Sequence, residues 1–238
     1  MKKLVIMLIV AMLVGWNAVA ERDYFTELRE LGIDISDEAE GYARNEMETY
    51  KNYGFQDATQ IENCMTILFL LGMGKYNKEN DSTTPLTDSV YAFDMEMTWI
   101  QEGYVDVLDA VMRMSGGTVK IQNISIEIDD DTAEAGWGTF PISFEMNGEA
   151  CSYTARLDTD WMDPGFLDFL NETLKGLGDG RQLWFATENL QGIVMFYRDK
   201  AWIDRFSAAT GIDFFGSMNE EVSVDPFAFL GDWLTGKN

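Results

Sequence analysis

Between residues 119 and 157 apolar side chains return at nearly every second position, and this run commits the middle of the chain to β-structure. Val119 and Ile121 open the alternation. Ile124, Ile126 and Ile128 resume it one place out of step, so a bulge is expected between Ile121 and Ile124. A second strand is expected over residues 137–146 and a third over 149–157. Asn147 and Gly148 between them are the residue types that accept the positive φ angles of a two-residue hairpin turn. The three pieces read as an antiparallel meander, its first two strands joined by an acidic turn carrying Asp129, Asp130, Asp131 and Glu134.

Elsewhere the spacing switches between helical and strand periods. Tyr24, Phe25, Leu28 and Leu31 line a short helix that stops at Gly32. Ser36 is placed to cap a second helix, with Asp37 and Glu38 in its first turn. A third helix packs Ile61, Cys64, Met65, Leu68 and Phe69 and is expected to end at Gly72 and Gly74. Residues 75–85 read as a polar linker. Residues 90–99 alternate Tyr91, Phe93, Met95, Met97 and Trp99 against polar neighbours, which predicts a strand, and a helix follows to Met114. Asp163 and Pro164 open another helix, loosened at its exit by Gly176, Gly178 and Gly180. Strands over 182–187 and 192–198 flank a turn at 188–191, a helix spans 200–209, and Phe227, Phe229, Leu230, Trp233 and Leu234 offer short helical contacts at the end. Ile193, Val194, Met195 and Phe196 make the penultimate strand apolar on both faces, which places it centrally.

The fold class is therefore α+β: a mainly antiparallel sheet of about five or six strands, covered on one side by helices and preceded by an N-terminal helical segment. Residues 21–85 form that segment and residues 86–238 the mixed domain, with one core allowed to both.

Residues 1–20 have the form of a secretory signal peptide. Met1, Lys2 and Lys3 make a basic start, an apolar stretch follows, and Ala18, Val19 and Ala20 supply a small-x-small cleavage site. The densest apolar part is short for a membrane anchor and is interrupted by Trp16 and Asn17. Residues 65–73, the next most apolar stretch, have about half the length of a span. The expected place of the mature chain is the cell-envelope space or the medium.

The chain has 17 basic and 41 acidic residues, a net charge of −24, and cleavage would remove Lys2 and Lys3 but no acid. Such a charge repels phosphate backbones and anionic headgroups, which argues against nucleic acid and acidic membranes as partners. A hydrophobic fraction of 46% and an aromatic fraction of 13% supply a globular core, so the acids coat a folded protein. Histidine is absent, which rules out serine–histidine–acid and cysteine–histidine catalysis and histidine-bearing zinc sites. Carboxylate, lysine or tyrosine chemistry remains.

Several constellations invite a chemical role, and each has an ordinary structural one. Asp129, Asp130 and Asp131 lack the glycine and terminal glutamate of a calcium loop and fit a solvated turn. Asp158, Asp160 and Asp163 leave a strand toward a helix that Asp163 can cap without a metal. Asp94 and Glu96 are one carboxylate pair among many, and acid–base work depends on a separation that spacing does not supply. Trp161, Trp184, Tyr197 and Trp202 are candidates for a carbohydrate- or peptide-binding surface or for core packing. Gly176, Gly178 and Gly180 lack the strand-to-helix context of a phosphate cradle. Cys64 and Cys151 fit either a disulfide or two buried thiols. No catalytic, cofactor or metal residue is assigned. The expectation is a secreted, acidic, noncatalytic ligand-binding or protein-interaction module for an extracellular protein, peptide or carbohydrate. The alternatives are an exported carboxylate-dependent or divalent-metal-assisted hydrolase and an envelope structural protein.

Overall fold

The computed structural model describes residues 22–52, 59–77, 82–97, 99–187 and 191–219. The expected signal peptide, most of the 188–191 turn and the apolar positions from Phe227 to Leu234 lie outside them. The chain begins with α1 (Tyr24–Glu30), α2 (Asp37–Asn52) and α3 (Gln60–Met73). The Ser36 hydroxyl accepts the Ala39 N–H and caps α2, as its position implied. Thr59 and Glu62 form a reciprocal capping box at the start of α3. Helix α3 does not stop at Gly72 but runs through it to Gly74, whose φ of 85° ends it. Gly72 serves a close approach instead: a Cβ there would lie 2.5 Å from the Ala92 amide nitrogen. Ile61, expected on the packing side, is 44% exposed.

Where a linker was expected, β1 (Lys75–Asn77) and β2 (Ser82–Thr84) pair as a small ribbon. The predicted strand over 90–99 is cut to β3 (Tyr91–Asp94), and Trp99 becomes the residue before α4 (Ile100–Met114). The acidic stretch is a short helix, α5 (Asp130–Ala135), because Asp129 caps it through the Thr132 N–H.

The meander forms as its pattern predicts. β4 (Ile121–Ile126) and β6 (Glu149–Asp158) flank β5 (Trp137–Met146), and Asn147 and Gly148 turn the hairpin with φ values of 51° and 87°. The register of β4 slips between Gln122 and Ser125, where the bulge was expected. The outward edge of β4 is guarded by α4: the Ile121 N–H meets the Met112 sulfur, and Gln101 Nε2 donates to the Ile126 carbonyl.

α6 (Pro164–Lys175), β7 (Arg181–Thr187), β8 (Gly192–Asp199) and α7 (Lys200–Thr210) complete the described elements. The single sheet of the sequence expectation is replaced by three antiparallel sheets, β1–β2, β3–β8–β7 and β4–β5–β6. The cause is visible in burial. β8 is buried without interruption from Ile193 to Tyr197, so its sheet needs cover on both faces, whereas β5 alternates and needs cover on one.

Two apolar clusters meet across that central sheet. On one face, Ala92, Ala186, Val194 and Phe196 pack with residues of α1, α2, α3 and α7. On the other, Phe93, Phe185, Ile193 and Met195 join α4 and α6, which also pack against Phe140, Ile142, Phe144 and Leu157 of the meander. The layers run helix, sheet, helix, sheet. Tyr104 anchors the inner helix layer, with edge-to-face contacts to Phe140 and Phe166, and each such fully buried ring contributes on the order of 2 kcal/mol. The outer face of the meander is bare, with Thr139, Pro141, Ser143, Ser152, Thr154 and Arg156 exposed. Among the described residues no helix is long and apolar enough to cross a membrane.

Candidate binding surface at the tryptophan-bearing end

Trp137 opens β5 opposite Asp158, the last residue of β6. The chain then turns at Thr159, whose φ is 57° and whose N–H donates to the Gly136 carbonyl at 2.6 Å. Trp161 pairs back with Asp158 and also bridges to Glu96. The Met97 N–H donates to the Asp160 carbonyl at 2.6 Å, and the Met162 N–H to the Met95 carbonyl at 2.8 Å. Segments 95–97, 136–137 and 158–163 are thus laced together by backbone bonds. Two strand spacings put the Trp137 and Trp161 backbones within about 10 Å of each other.

Trp137 and Trp161 on this scaffold, and Trp99 at the start of α4, where its carbonyl accepts the Gly103 N–H, face solvent: Trp99 is 66% exposed, Trp137 73% and Trp161 39%. Trp161 forms one wall of a cleft of about 290 Å³ with Met95, Met162, Pro164 and Met218, and Arg156, Asp158 and Asp163 supply its polar groups. Asp163 is fully engaged. It caps α6 through the Gly165 N–H at 3.0 Å and accepts the Tyr153 hydroxyl at 3.0 Å and the Arg156 N–H at 2.9 Å, while its own N–H donates to the Tyr104 hydroxyl. Burial, and then this bond to Asp163, push the Tyr153 hydroxyl up to about 12. The Asp158 carboxylate and the Arg156 guanidinium have no ion-pair partner among the described residues.

The other sequence candidates fall into structural roles or disperse. No three acidic or cysteine side chains among the described residues are placed to hold a metal ion, so neither Asp129–Asp131 nor Asp158, Asp160 and Asp163 form a cluster. Asp94 and Glu96 share one amide, Gln191 Nε2, at 3.2 and 3.1 Å. Gly178 and Gly180, with φ of 71° and 80°, shape the turn into β7. The four aromatics grouped by sequence do not form one surface. Trp184 and Trp202 pack on the α1–α3 side and donate to the Arg198 and Leu31 carbonyls, and Tyr197 is fully buried with its hydroxyl on Asp179. Of the four, Trp161 alone is exposed.

Sequence reasoning missed Trp99 and Trp137 as members of this surface. Trp137 shares the outward parity of Thr139, Pro141 and Ser143, a signal already present in the strand pattern. Trp99 matches the apolar parity of its run, and only the early start of α4 frees it. The two cysteines are free thiols attached to opposite clusters, Cys64 to the α1–α3 side and Cys151 to the meander side.

A wider groove of about 430 Å³ lies between α4 and β4, lined by Gln101, Glu102, Val105, Asp106, Ile124 and Ile126. Partial desolvation, followed by the charges of Asp109 and Glu102, raises the Asp106 carboxyl above its ordinary value. It has no aromatic wall, and Gln101 already occupies the carbonyl of Ile126.

No protein-family model matches this sequence, and neither a curated protein nor a solved structure matches it.

Proposed function

We propose that this chain is a noncatalytic interaction module that works outside the cytoplasm after removal of residues 1–20, and that it engages its partner through the tryptophan-bearing end. One observation carries the reading: Trp99, Trp137 and Trp161 are exposed on backbone that is already held in place. Large aromatic side chains in water on a fixed scaffold offer contact area with little ordering left to do, which is what binding surfaces use. The hydrolase and envelope-structural readings have no comparable observation behind them: Asp94 and Glu96 are tied to the same Gln191 amide, and no three acids among the described residues are placed to hold a metal ion.

The test is an immobilised-protein screen of peptides, proteins and glycans, run with the wild type and with Trp137→Ala and Trp161→Ala. Capture that the substitutions abolish, with unchanged far-ultraviolet circular dichroism, supports the surface. A partner held equally by both variants, or turnover of a substrate by the wild type, overturns the reading.

A further inference from the structure

Resting on that binding reading, we infer that the tryptophan-bearing end takes a cationic segment of a partner protein, with lysine or arginine side chains set against the exposed indole faces. The inference comes from where the chain spends its few basic residues. Arg22, Arg29 and Arg44 pair with acids of α1 and α2, and Arg113, Lys175, Arg181 and Lys200 each pair with an acid on their own parts of the surface. Around the tryptophans Glu96, Asp158 and Asp160 have no lysine or arginine partner among the described residues, and α5 carries Asp130, Asp131 and Glu134 just ahead of Trp137. Arg156 is the one basic group lining the cleft. Acids without a basic partner also occur elsewhere, as at Glu102, Asp106, Asp109 and Glu127; at this end such acids stand beside exposed indole faces, and they outnumber Arg156.

Indole faces attract cations through their quadrupole, and neighbouring carboxylates add to the attraction. The fold uses the same chemistry internally: Arg44 stands 4.4 Å from the Phe25 ring centre, Arg181 4.6 Å from Tyr197 and Arg198 5.2 Å from Trp202. Trp99, Trp137 and Trp161 have no such cation over them among the described residues. A partner's lysine or arginine would supply it. A neutral glycan would use the indole faces but not the charge, and an acidic ligand would be repelled.

Calorimetric titration of the whole mature chain with a hexa-arginine peptide, a Gly/Ser peptide of equal length and cellohexaose separates these outcomes. Binding of hexa-arginine that weakens with added salt is expected. Trp137→Ala and Trp161→Ala, which leave the net charge unchanged, should each weaken it roughly 3- to 10-fold. Asp158→Asn should weaken it as well, while Glu30→Gln, an acid on exposed α1 surface away from the site, should not. Equal hexa-arginine affinity in wild type and both tryptophan variants would reduce the effect to a general acidic field and overturn the inference. Tryptophan-dependent binding of cellohexaose in place of the peptide would also overturn it, while leaving the proposed surface standing. Tryptophan variants without effect on any captured ligand would remove the surface itself. Trp137, at 73% exposure, is the variant least able to disturb folding.

Discussion

The side chain of Asn171 in α6 pairs with both backbone polar groups of Leu183 in β7. Its Oδ1 accepts the Leu183 N–H at 2.7 Å, and its Nδ2 donates to the Leu183 carbonyl at 3.1 Å and to the Gly216 carbonyl at 2.7 Å. Two residues on, Phe185 exchanges backbone bonds with Phe215 at 2.9 and 3.0 Å. The edge of β7 away from β8 is thereby closed by an amide side chain and a short stretch of chain.

Asn171 is 1% exposed, so Asn171→Leu keeps the volume and strands the Leu183 and Gly216 groups without water. A loss of about 3 kcal/mol in urea denaturation is expected. A loss below about 1 kcal/mol would mean that the groups find other partners.

Asp179, Arg181 and Tyr197 form a second polar knot, with the tyrosine ring buried beneath it. Burial, and then the bond to Asp179, push the Tyr197 hydroxyl up to about 12. The unfolded tyrosine loses its proton first, near pH 10, so the stabilisation is complete below that value and is lost as pH rises through about 12. For Asp179, desolvation disfavours the charged form, but bonds from Arg181 and Tyr197 outweigh it and hold the carboxyl below its ordinary value. Its contribution is present above the ordinary carboxylate range and is lost as pH falls through the lowered one. Asp179→Asn should flatten the acid limb of the stability profile and bring the Tyr197 titration, followed by ultraviolet difference absorbance, to lower pH. A profile unchanged at both ends would contradict the knot.

Two helical glycines should respond in opposite directions to alanine. Gly72→Ala drives a Cβ to 2.5 Å from the Ala92 nitrogen and should destabilise by about 1–3 kcal/mol despite the better helix former. Gly41, in α2, has open space where a Cβ would stand, with nothing within 4 Å, and Gly41→Ala should raise stability by up to about 1 kcal/mol. Thermal melts of the pair check the helix–strand contact directly.

The cysteines should behave as two unequal thiols. Cys64 is 1% exposed, and burial, followed by the charge of Glu27, pushes its thiol up to about 11. Cys151 is half-buried and raised by the same desolvation. Mass spectrometry after alkylation without reductant should find Cys151 labelled first in the folded protein and both labelled in denaturant. A Cys64–Cys151 disulfide in that sample would refute the arrangement.

The parts of this fold that were legible in the sequence are those set by neighbours in the chain. The hairpin at Asn147 and Gly148, the bulge after Ile121, and the caps at Ser36 and Asp163 all follow from a few adjacent residues. The central place of β8 was also readable, because Ile193 to Phe196 are apolar on both faces. What period-two alternation does not encode is which strands share a sheet, and so β3, β7 and β8 separated from the meander unannounced. Gly72 reads as a stop until Ala92 is brought against it. The candidate surface was half legible: Trp161 stood out, whereas Trp99 and Trp137 depend on where α4 begins and on which face of β5 meets solvent.

The pairing of β3 with β8 sets Tyr91 against Met195, and α3 rests on the same strands. During synthesis the first three helices therefore emerge long before their seat exists. Leu68 and Leu71 must wait for Val194, Phe196 and Phe206 before they leave water for good. A product that stops after α6 would keep the meander but strand the N-terminal helices, so an early stop codon is expected to yield an aggregating fragment and not a smaller working protein.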